Sequence, residues 1–344
     1  MAQTAVTVLT GYLGAGKTTL LNRILSEDHG KKYAVIVNEF GEIGIDNDLI
    51  VGADEEVFEM NNGCVCCTVR GDLIRVVQGL MKRKGSFDGI VIETTGLADP
   101  GPVAQTFFVD EEVKAKAKLD SVTTVVDAKH ILLRLSDSRE AAEQIAFADQ
   151  IVLNKTDLVS PDDLRMIEAR LRRLNPLAPI HRAERSNVPL EAILGRGGFD
   201  LDRILELEPE FLNPAHGEPG HVHDDDCDHD GHDHHDHHHH DHQHDDDIKG
   251  VALRMEKPVD PQRVTAWLND LLARQGPDIL RAKGILDVKG DDRRLVFQAV
   301  HMILEGDFQR PWRDGEDRTS RMVFIGRNLD EALLRVGFQS CAAA

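Results

Sequence analysis

The segment Gly11–Thr18, which reads GYLGAGKT, restricts the possible folds of this chain more than any other feature. It follows the apolar run Val6–Leu9 and opens the amphipathic stretch Thr18–Leu25. The pattern G-x-x-x-x-G-K-S/T between a strand and a helix predicts a P-loop, in which backbone N–H groups and the positive end of the helix dipole hold phosphate oxygens. We therefore expect a nucleotide-binding α/β domain; the alternative is a glycine-rich turn that only begins a helix.

The P-loop pattern assigns roles to individual residues. Lys17 is expected to reach the β- and γ-phosphates of a nucleotide, and the Thr18 hydroxyl is expected to take a place on Mg²⁺. Both are candidate catalytic residues because they act on the phosphates that react. The other candidate contacts of this segment are Gly11, Gly14, Ala15, Gly16 and Thr19.

Short β-branched runs alternate with longer amphipathic segments up to about residue 200. The predicted strands are Val6–Leu9, Ala34–Val37, Gly89–Ile92, Ser121–Val126, Ile151–Leu153 and Ala178–His181. The predicted helices include Thr18–Leu25, Asp72–Lys82, Ala141–Ala148 and Asp162–Leu174. Apolar strands that alternate with helices predict a parallel sheet covered by helices on both faces.

Charge and histidine content separate a middle segment from the rest of the chain. The 344 residues have a formal charge of −20, but residues 221–247 contain 11 Asp and 12 of the 17 His, with no Lys or Arg. Such a composition cannot form a hydrophobic core. We therefore predict an α/β fold with a P-loop NTPase domain at 1–200, an acidic linker with a His/Asp-rich tract at 201–248, and a smaller C-terminal α/β domain at 249–344.

Composition also excludes several classes of partner. Without residues 221–247 the chain has 49 acidic and 40 basic residues, which argues against nucleic-acid binding. It contains no apolar run of about 18 residues, so no membrane-spanning helix is expected. The N-terminus lacks a basic region followed by a cleavage site, which favours a cytoplasmic location.

The segment NKTD, Asn154–Asp157, follows a predicted strand and indicates which base is bound. The carboxylate of Asp157 can accept hydrogen bonds from both N1–H and the exocyclic amine of guanine, and adenine offers no matching pair. Asn154 can donate to the base, while the stem of Lys155 lies over the ring. The pattern favours GTP over ATP; the alternative is a polar helix start with Asp157 as N-cap.

The segment IVIETTGLADP supplies a carboxylate at the predicted end of a strand. Glu93 can reach Mg²⁺ directly or through water, and the Gly96 amide could sense the γ-phosphate. The loop that follows is then a candidate switch. The alternative is a glutamate that ends a strand and a glycine that makes a turn.

Cys64, Cys66 and Cys67 occupy three of four consecutive positions in NGCVCCT. Clustered thiolates are soft ligands that suit Zn²⁺ and can also hold Co²⁺ or Cu⁺. A carboxylate from the acidic segment NEFGEIGID would complete a tetrahedral site, and its candidates are Glu39, Glu42 and Asp46. A redox dithiol and inert packing are the alternatives.

The His/Asp-rich tract can bind several transition-metal ions in exchanging arrangements, because no fixed geometry is encoded. The alternative is a solvated linker whose histidines have no role. The chain has five cysteines, an odd number with three nearly adjacent, which favours metal or redox chemistry over a disulfide framework.

Five segments occur in an order that resembles the CobW-type P-loop GTPases, a metallochaperone family, and in particular their YjiA-like branch. They are GYLGAGKTTLL, VNEFGEIGID, NGCVCCTV, IETTGLADP and LNKTDLV. The C-terminal segments RAKGILDVKG and RMVFIG are similar to the second domain of the same family. The resemblance therefore covers nearly the whole chain.

The resemblance implies a GTPase that hydrolyses GTP to GDP and phosphate and passes a transition metal, usually zinc, to a client metalloprotein. We expect the intrinsic hydrolysis to be slow, because the sequence shows no obvious arginine finger or glutamine in cis. Cobalt delivery for cobalamin synthesis, and a His-rich metal buffer with a regulatory GTPase, are the alternatives for function. A plain GTPase with redox-active cysteines is a third. Zn²⁺, Co²⁺ and Ni²⁺ all suit thiolate and imidazole ligands. No nucleic acid and no membrane is implied as partner, and the chain would be a monomer or a metal-dependent dimer.

The resemblance also assigns residues. Our own candidates for the residue that positions the attacking water are Asp46 and Glu39. The resemblance implies that Mg²⁺ binds Thr18 with help from Glu93 or a switch acid. It implies a transferred metal on Cys66 and Cys67, with Cys64 and Glu42 as companions. A relative has ENEFGE where this chain has VNEFGE, so any site that uses the first acid of that segment differs here at Val37.

Overall fold

In a computed structural model of the protein, the residues described are 3–38, 57–60, 68–82, 87–197 and 248–343. The first part contains seven strands: β1 (Thr4–Thr10), β2 (Tyr33–Asn38), β3 (Val57–Met60), β4 (Gly89–Glu93), β5 (Ala117–Asp127), β6 (Gln150–Asn154) and β7 (Ile180–Arg182). They form one sheet in the order β3-β2-β4-β1-β5-β6-β7, and the neighbouring strands are parallel.

Helices cover both faces of this sheet. They are α1 (Lys17–Ser26), α2 (Thr68–Met81), α3 (Gly101–Val109), α4 (Glu111–Lys114), α5 (Ile131–Asp137), α6 (Arg139–Phe147) and α7 (Pro161–Leu174). Successive side chains of a strand point to opposite faces, so Val8 joins the core of α2, α3 and α6, while Leu9 joins the core of α1. The predicted parallel sheet with two covered faces is confirmed.

The last part of the chain forms an antiparallel sheet in the order β11-β10-β9-β12-β8. Its elements are β8 (Ile248–Met255), α8 (Pro261–Gln275), β9 (Ile279–Asp287), β10 (Arg293–Val300), β11 (Ile303–Pro311), β12 (Ser320–Arg327) and α9 (Glu331–Ser340). Phe324 packs with residues of α8 and α9, while its neighbours Val323 and Ile325 join the core of the first sheet's helices. The predicted smaller α/β unit is confirmed, and it packs directly on the first one.

A buried ion cluster links the two sheets. Asp149, just before β6, accepts hydrogen bonds at Oδ1 from Arg281 Nη2 (2.5 Å) and Lys283 Nζ (2.7 Å), both on β9. Its Oδ2 accepts from the N–H of Val122 at 2.9 Å. Each charged side chain is at most 3% exposed. Burial raises the pKa of Asp149, but the two cations and the hydrogen bonds outweigh it and leave the pKa below its usual value.

Some described elements do not follow from the periodicity of the sequence, and helix α3 and strand β11 are examples. Helix α3, GPVAQTFFV, is apolar on almost every side because it is covered by neighbours, so it shows no helical stripe. Strand β11, ILEGDFQRP, lies at the edge of its sheet, half exposed, and carries polar residues in place of an apolar alternation. Neither element was predicted, because the pattern of apolar and polar residues follows burial, and burial depends on the neighbouring elements.

The contacts of Glu316, in the loop after β11, should make the stability of the fold depend measurably on pH. Glu316 accepts hydrogen bonds from Arg294 Nη1 (2.8 Å) and Arg310 Nη1 (2.8 Å) and from the N–H of Arg313 (2.7 Å). Burial raises the pKa of Glu316, but these donors prevail and lower it from 4.5 to about 2. The carboxylate therefore stabilises the fold fully above its unfolded-state pKa, and this contribution is lost as pH falls through about 2.

We expect Glu316→Gln to lower the melting temperature at neutral pH and the difference from the unsubstituted protein to vanish as pH falls from 4.5 to about 2. Thermal denaturation across that range measures it. Asp314→Asn, an exposed position in the same loop, is the matched control and should change little. A difference that stays constant over the whole range would contradict the role given to Glu316.

Candidate nucleotide-binding site

The P-loop leads from β1 into α1 at the edge of the sheet where the parallel strands end. Gly11, Gly14 and Gly16 have φ angles of 140°, 74° and 111°, which L side chains rarely adopt. A Cβ at Gly11 would lie 2.2 Å from the Val125 carbonyl oxygen, and one at Gly16 would lie 2.4 Å from Asn154 Nδ2. The loop is thus pressed against the ends of β5 and β6, and glycine is required at both points.

Gly16→Ala should lower the affinity for GDP about tenfold or more, because the added Cβ combines a left-handed backbone with a clash against Asn154. Titration with a fluorescent GDP measures the effect. Gly290→Ala is the control: Gly290 also has a positive φ of 88°, but nothing lies within 4 Å of its added Cβ. Equal GDP affinities of the unsubstituted protein and the Gly16 variant would refute the requirement.

Lys17, Thr18 and Glu93 lie close together in the structure. Lys17 is only 8% exposed, and its Nζ donates to the carbonyl oxygens of Gly11 (2.8 Å) and Tyr12 (3.3 Å). Burial lowers the pKa of Lys17, and the charge of Glu93 opposes part of that shift.

Thr18 Oγ1 donates to Glu93 Oε1 at 3.5 Å, and Glu93 is 6% exposed at the end of β4. A hydroxyl and a carboxylate oxygen are hard ligands, which fit Mg²⁺. The neighbouring Thr94 was not predicted from the sequence; its hydroxyl donates to Thr10 Oγ1 at 2.9 Å and ties β4 to β1.

The loop after β4 lies directly against the P-loop. A Cβ at Gly96 would lie 2.7 Å from the backbone nitrogen of Leu13, so a larger residue does not fit. The carbonyl oxygens of Gly96 and Ala98 accept hydrogen bonds from Gln144 Nε2 at 3.0 and 3.1 Å. Gln144 is a buried residue of α6 that no sequence pattern singled out.

Asn154 braces the P-loop from the side of β6. Its Nδ2 donates to the carbonyl oxygen of Ala15 (2.9 Å), and its Oδ1 accepts from the N–H of Ser186 (2.7 Å). Ser186 Oγ in turn donates to the Gly16 carbonyl oxygen at 3.0 Å. The role of Asn154 as a donor to the base stays a prediction, and in the structure its amide joins two loops. Ser186 was not predicted, although it and Arg185 have positive φ angles, which mark a constrained turn.

Lys155 and Asp157 follow the end of β6. Lys155 has a left-handed backbone (φ 61°), and its Nζ donates to the Gly14 carbonyl oxygen and to Asp127 Oδ2, both at 2.7 Å. Asp157 is exposed within the short 3₁₀ helix Thr156–Leu158. The N-cap of the next helix is Ser160, whose hydroxyl accepts from the N–H of Asp163, so Asp157 does not cap a helix.

Several predicted residues lie outside the described part of the chain. They are Glu39, Glu42, Asp46, Cys64, Cys66, Cys67 and the His/Asp-rich tract. The cysteines come between the end of β3 and the start of α2, and the acidic segment follows β2. Within residues 3–38, 57–60, 68–82, 87–197 and 248–343, no group of three or more His, Cys, Asp or Glu is placed to hold a metal ion.

None of the helices formed by the described residues combines the length and the apolar character that crossing a membrane requires.

Family comparisons agree with both parts of the fold. The model of the CobW/HypB/UreG nucleotide-binding domain matches residues 5–182, and the model of the cobalamin synthesis protein cobW C-terminal domain matches residues 248–342. The zinc chaperone YjiA of Escherichia coli (strain K12) is 36% identical over 339 residues, which cover 97% of each chain. The zinc chaperone CobW of Pseudomonas aeruginosa is 36% identical over 97% of this chain and 90% of its own.

Two further similarities come from a eukaryotic protein and a solved structure. The zinc-regulated GTPase metalloprotein activator 1 of Schizosaccharomyces pombe is 43% identical over 210 residues, which cover 59% of this chain and 49% of that protein. The crystal structure of Zn(II)-bound YjiA GTPase from E. coli superposes with a TM-score of 0.74 at 32% identity, over the full length of both chains.

Proposed function

The chain belongs to the family that joins a CobW/HypB/UreG nucleotide-binding domain to a CobW C-terminal domain, and from that premise we propose that it is a GTP-hydrolysing metallochaperone. It binds a transition-metal ion, most simply Zn²⁺, and transfers it to a client metalloprotein. The observation that carries the proposal is the meeting of Lys17, Thr18 and Glu93 beside the P-loop, in a chain whose full-length relatives are named zinc chaperones.

GTP hydrolysis is proposed to use the groups at the edge of the parallel sheet. The N–H groups of the P-loop hold phosphate oxygens, and Lys17 exchanges its contacts with the Gly11 and Tyr12 carbonyls for contacts with the phosphates. Thr18 and Glu93 hold Mg²⁺, which when bound neutralises charge on the phosphates. Glu39 or Asp46 orients the attacking water, and the intrinsic rate is slow.

Recognition of guanine is proposed for the NKTD segment. The exposed carboxylate of Asp157 accepts from N1–H and from the exocyclic amine, and the Lys155 stem covers the ring. Asn154 contributes by holding Ala15 and Ser186 in place around the nucleotide. GTP is therefore the proposed substrate rather than ATP.

The metal is proposed to bind Cys64, Cys66 and Cys67, with Glu42 as companion. These residues follow β3 and β2, and β2 is the immediate neighbour of the strand that carries Glu93. Adjacent strands are spaced by about 4.8 Å, so the ends of β3 and β4 are separated by about 10 Å. We propose that the nucleotide controls metal affinity, because the segments that carry these ligands begin at the two strands that precede β4 in the sheet order.

The test is a Zn²⁺ titration against a competing chelator with GDP and with a non-hydrolysable GTP analogue. We expect the two zinc affinities to differ about 5- to 150-fold, the range of typical allosteric coupling. Cys66→Ser together with Cys67→Ser should abolish tight binding. Cys341→Ser is the matched control, because this free cysteine is buried in the C-terminal unit and its contact with the Gly337 carbonyl suits a hydroxyl.

Two outcomes would decide against parts of the proposal. Equal zinc affinities in the two nucleotide states would exclude control by GTP. Unchanged affinity in the double cysteine variant would exclude the cysteine site and favour cysteines with a redox role.

A metal buffer with a regulatory GTPase is a second candidate, favoured by the 12 His and 11 Asp of residues 221–247. Deleting that segment separates the two functions. A chaperone should retain one nucleotide-dependent, high-affinity zinc site, whereas a buffer should lose most of its bound metal. Counting bound zinc per chain before and after the deletion gives the answer.

A further inference from the structure

The carboxylate of Asp127 lies at the end of β5, between the P-loop and the NKTD segment. Asp127 is paired in register with Asn154 of β6. Its Oδ2 accepts hydrogen bonds from Lys155 Nζ (2.7 Å) and His130 Nδ1 (2.9 Å), and its Oδ1 accepts from the N–H of Lys129 (2.9 Å). One carboxylate therefore gathers three donors beside the proposed base site, and no sequence motif identifies it.

The ammonium group of Lys155 is held at two points. It donates to Asp127 and, at 2.7 Å, to the carbonyl oxygen of Gly14 in the P-loop. A lysine side chain in solution samples many rotamers, and ordering it opposes binding. Because the ammonium is already anchored, the methylene stem is ordered before a nucleotide arrives.

We propose that Asp127, held in place by His130, is a positioning residue for the nucleotide base. It keeps the stem of Lys155 where that stem covers one face of the purine, so that loss of Asp127 weakens contact with the base rather than with the phosphates. The inference rests on the proposed GTP site and deepens it.

Burial distinguishes this contact from an ordinary surface ion pair. The side chains of Asp127 and Lys155 are 13% and 30% exposed, whereas exposed pairs contribute little. Burial raises the pKa of Asp127, but hydrogen bonds from Lys155 and His130 leave it below its usual value, so the carboxylate is ionised at neutral pH. An imidazole can donate through Nδ1 in its protonated form and in one neutral tautomer. His130 can therefore donate its hydrogen bond to Asp127 in either form.

The same hydrogen bonds also allow a competing interpretation. Through Lys155 and Gly14, Asp127 could act only as a brace for the P-loop, in which case phosphate binding would suffer as well. The two interpretations differ in their effect on a ligand that lacks a base, whereas a ligand that lacks only the exocyclic amine separates contact with the ring face from recognition of that amine. That difference sets the choice of ligands for the experiment.

The test measures the affinities of GDP, inosine diphosphate and inorganic pyrophosphate, each with Mg²⁺, by competition against a fluorescent GDP. Asp127→Ala should lower the affinities for GDP and for inosine diphosphate by the same factor, about tenfold, because both nucleotides present the same ring face to Lys155. Pyrophosphate, which has no base, should bind as before. His130→Ala should produce a smaller loss in the same direction.

Asp137→Ala is the matched control, because Asp137 is an exposed carboxylate on α5 that pairs with Arg134 and does not contact Lys155. Lys155→Ala provides a second measurement that does not depend on the stability of one variant. If Asp127 acts through Lys155, adding Asp127→Ala to Lys155→Ala should weaken GDP no further.

Several results would overturn the inference: unchanged GDP affinity in Asp127→Ala, an equal loss for pyrophosphate, or a further loss in the double variant. In each of these cases the unsubstituted protein still binds GDP, and the proposed function stands. An unsubstituted protein that does not bind GDP overturns the proposed function and this inference together.

Discussion

Lys17→Ala is expected to lower GTP turnover about 100-fold or more, the usual cost of removing one positioned donor from developing charge. In the structure Lys17 is buried, and its ammonium donates to the carbonyl oxygens of Gly11 and Tyr12 in the P-loop that is proposed to hold the phosphates. Phosphate release under single-turnover conditions measures the effect on the chemical step.

The control for this experiment is Lys257→Ala, an exposed lysine in the C-terminal part of the chain. It should leave turnover unchanged. The Lys17 variant should also keep the circular-dichroism spectrum of the unsubstituted protein, because the glycine backbone shapes the loop. A turnover within about fivefold of the unsubstituted value would show that Lys17 does not act on the phosphates.

Asp149→Asn should reduce the free energy of unfolding by about 3–5 kcal/mol, because it removes a negative charge that two buried cations contact. Arg281 and Lys283 of β9 both donate to Asp149 Oδ1, and none of the three side chains is more than 3% exposed. Asparagine has nearly the same shape, so the effect reports charge rather than a cavity. Urea denaturation monitored by circular dichroism gives the free energy.

A second effect of this substitution follows from where the cluster lies. Asp149 immediately precedes β6 of the parallel sheet and its two cations lie on β9 of the antiparallel sheet, so the substitution should also weaken the coupling between the two units. We expect a broader unfolding transition, or two transitions in place of one. Calorimetry detects either change.

Asp270→Asn is the control for the stability measurement, since Asp270 forms an exposed pair with Arg274 on α8 and should cost under about 1 kcal/mol. A triple replacement of Asp149, Arg281 and Lys283 by apolar residues of similar volume should recover much of the lost stability. If Asp149→Asn costs no more than the control, the cluster does not hold the two sheets together.

The local patterns of the sequence were enough for the fold and the family. A P-loop needs glycines at set positions between a strand and a helix, and these are neighbours in the chain. Strands such as β4 and β6 have uninterrupted apolar centres because both of their faces are buried, and this pattern is visible in each segment separately. The edge strand β11 and the apolar helix α3 were not predicted, because their residue patterns depend on which elements cover them.

The sequence also identified residue types that suit phosphate, guanine and metal, since that chemistry resides in single side chains such as Lys17, Asp157 and Cys66. The hydrogen-bond partners of such side chains cannot be predicted from local sequence patterns. Lys155 and Asp127 are 28 residues apart, and Lys283 and Asp149 are 134 apart. These pairs meet only because strand order and register bring the ends of separate segments together, and no local pattern records that order. The sequence therefore identifies the residue types proposed for the site, whereas the strand order and register of the parallel sheet bring them together, and the packing of the two sheets forms the Asp149 cluster.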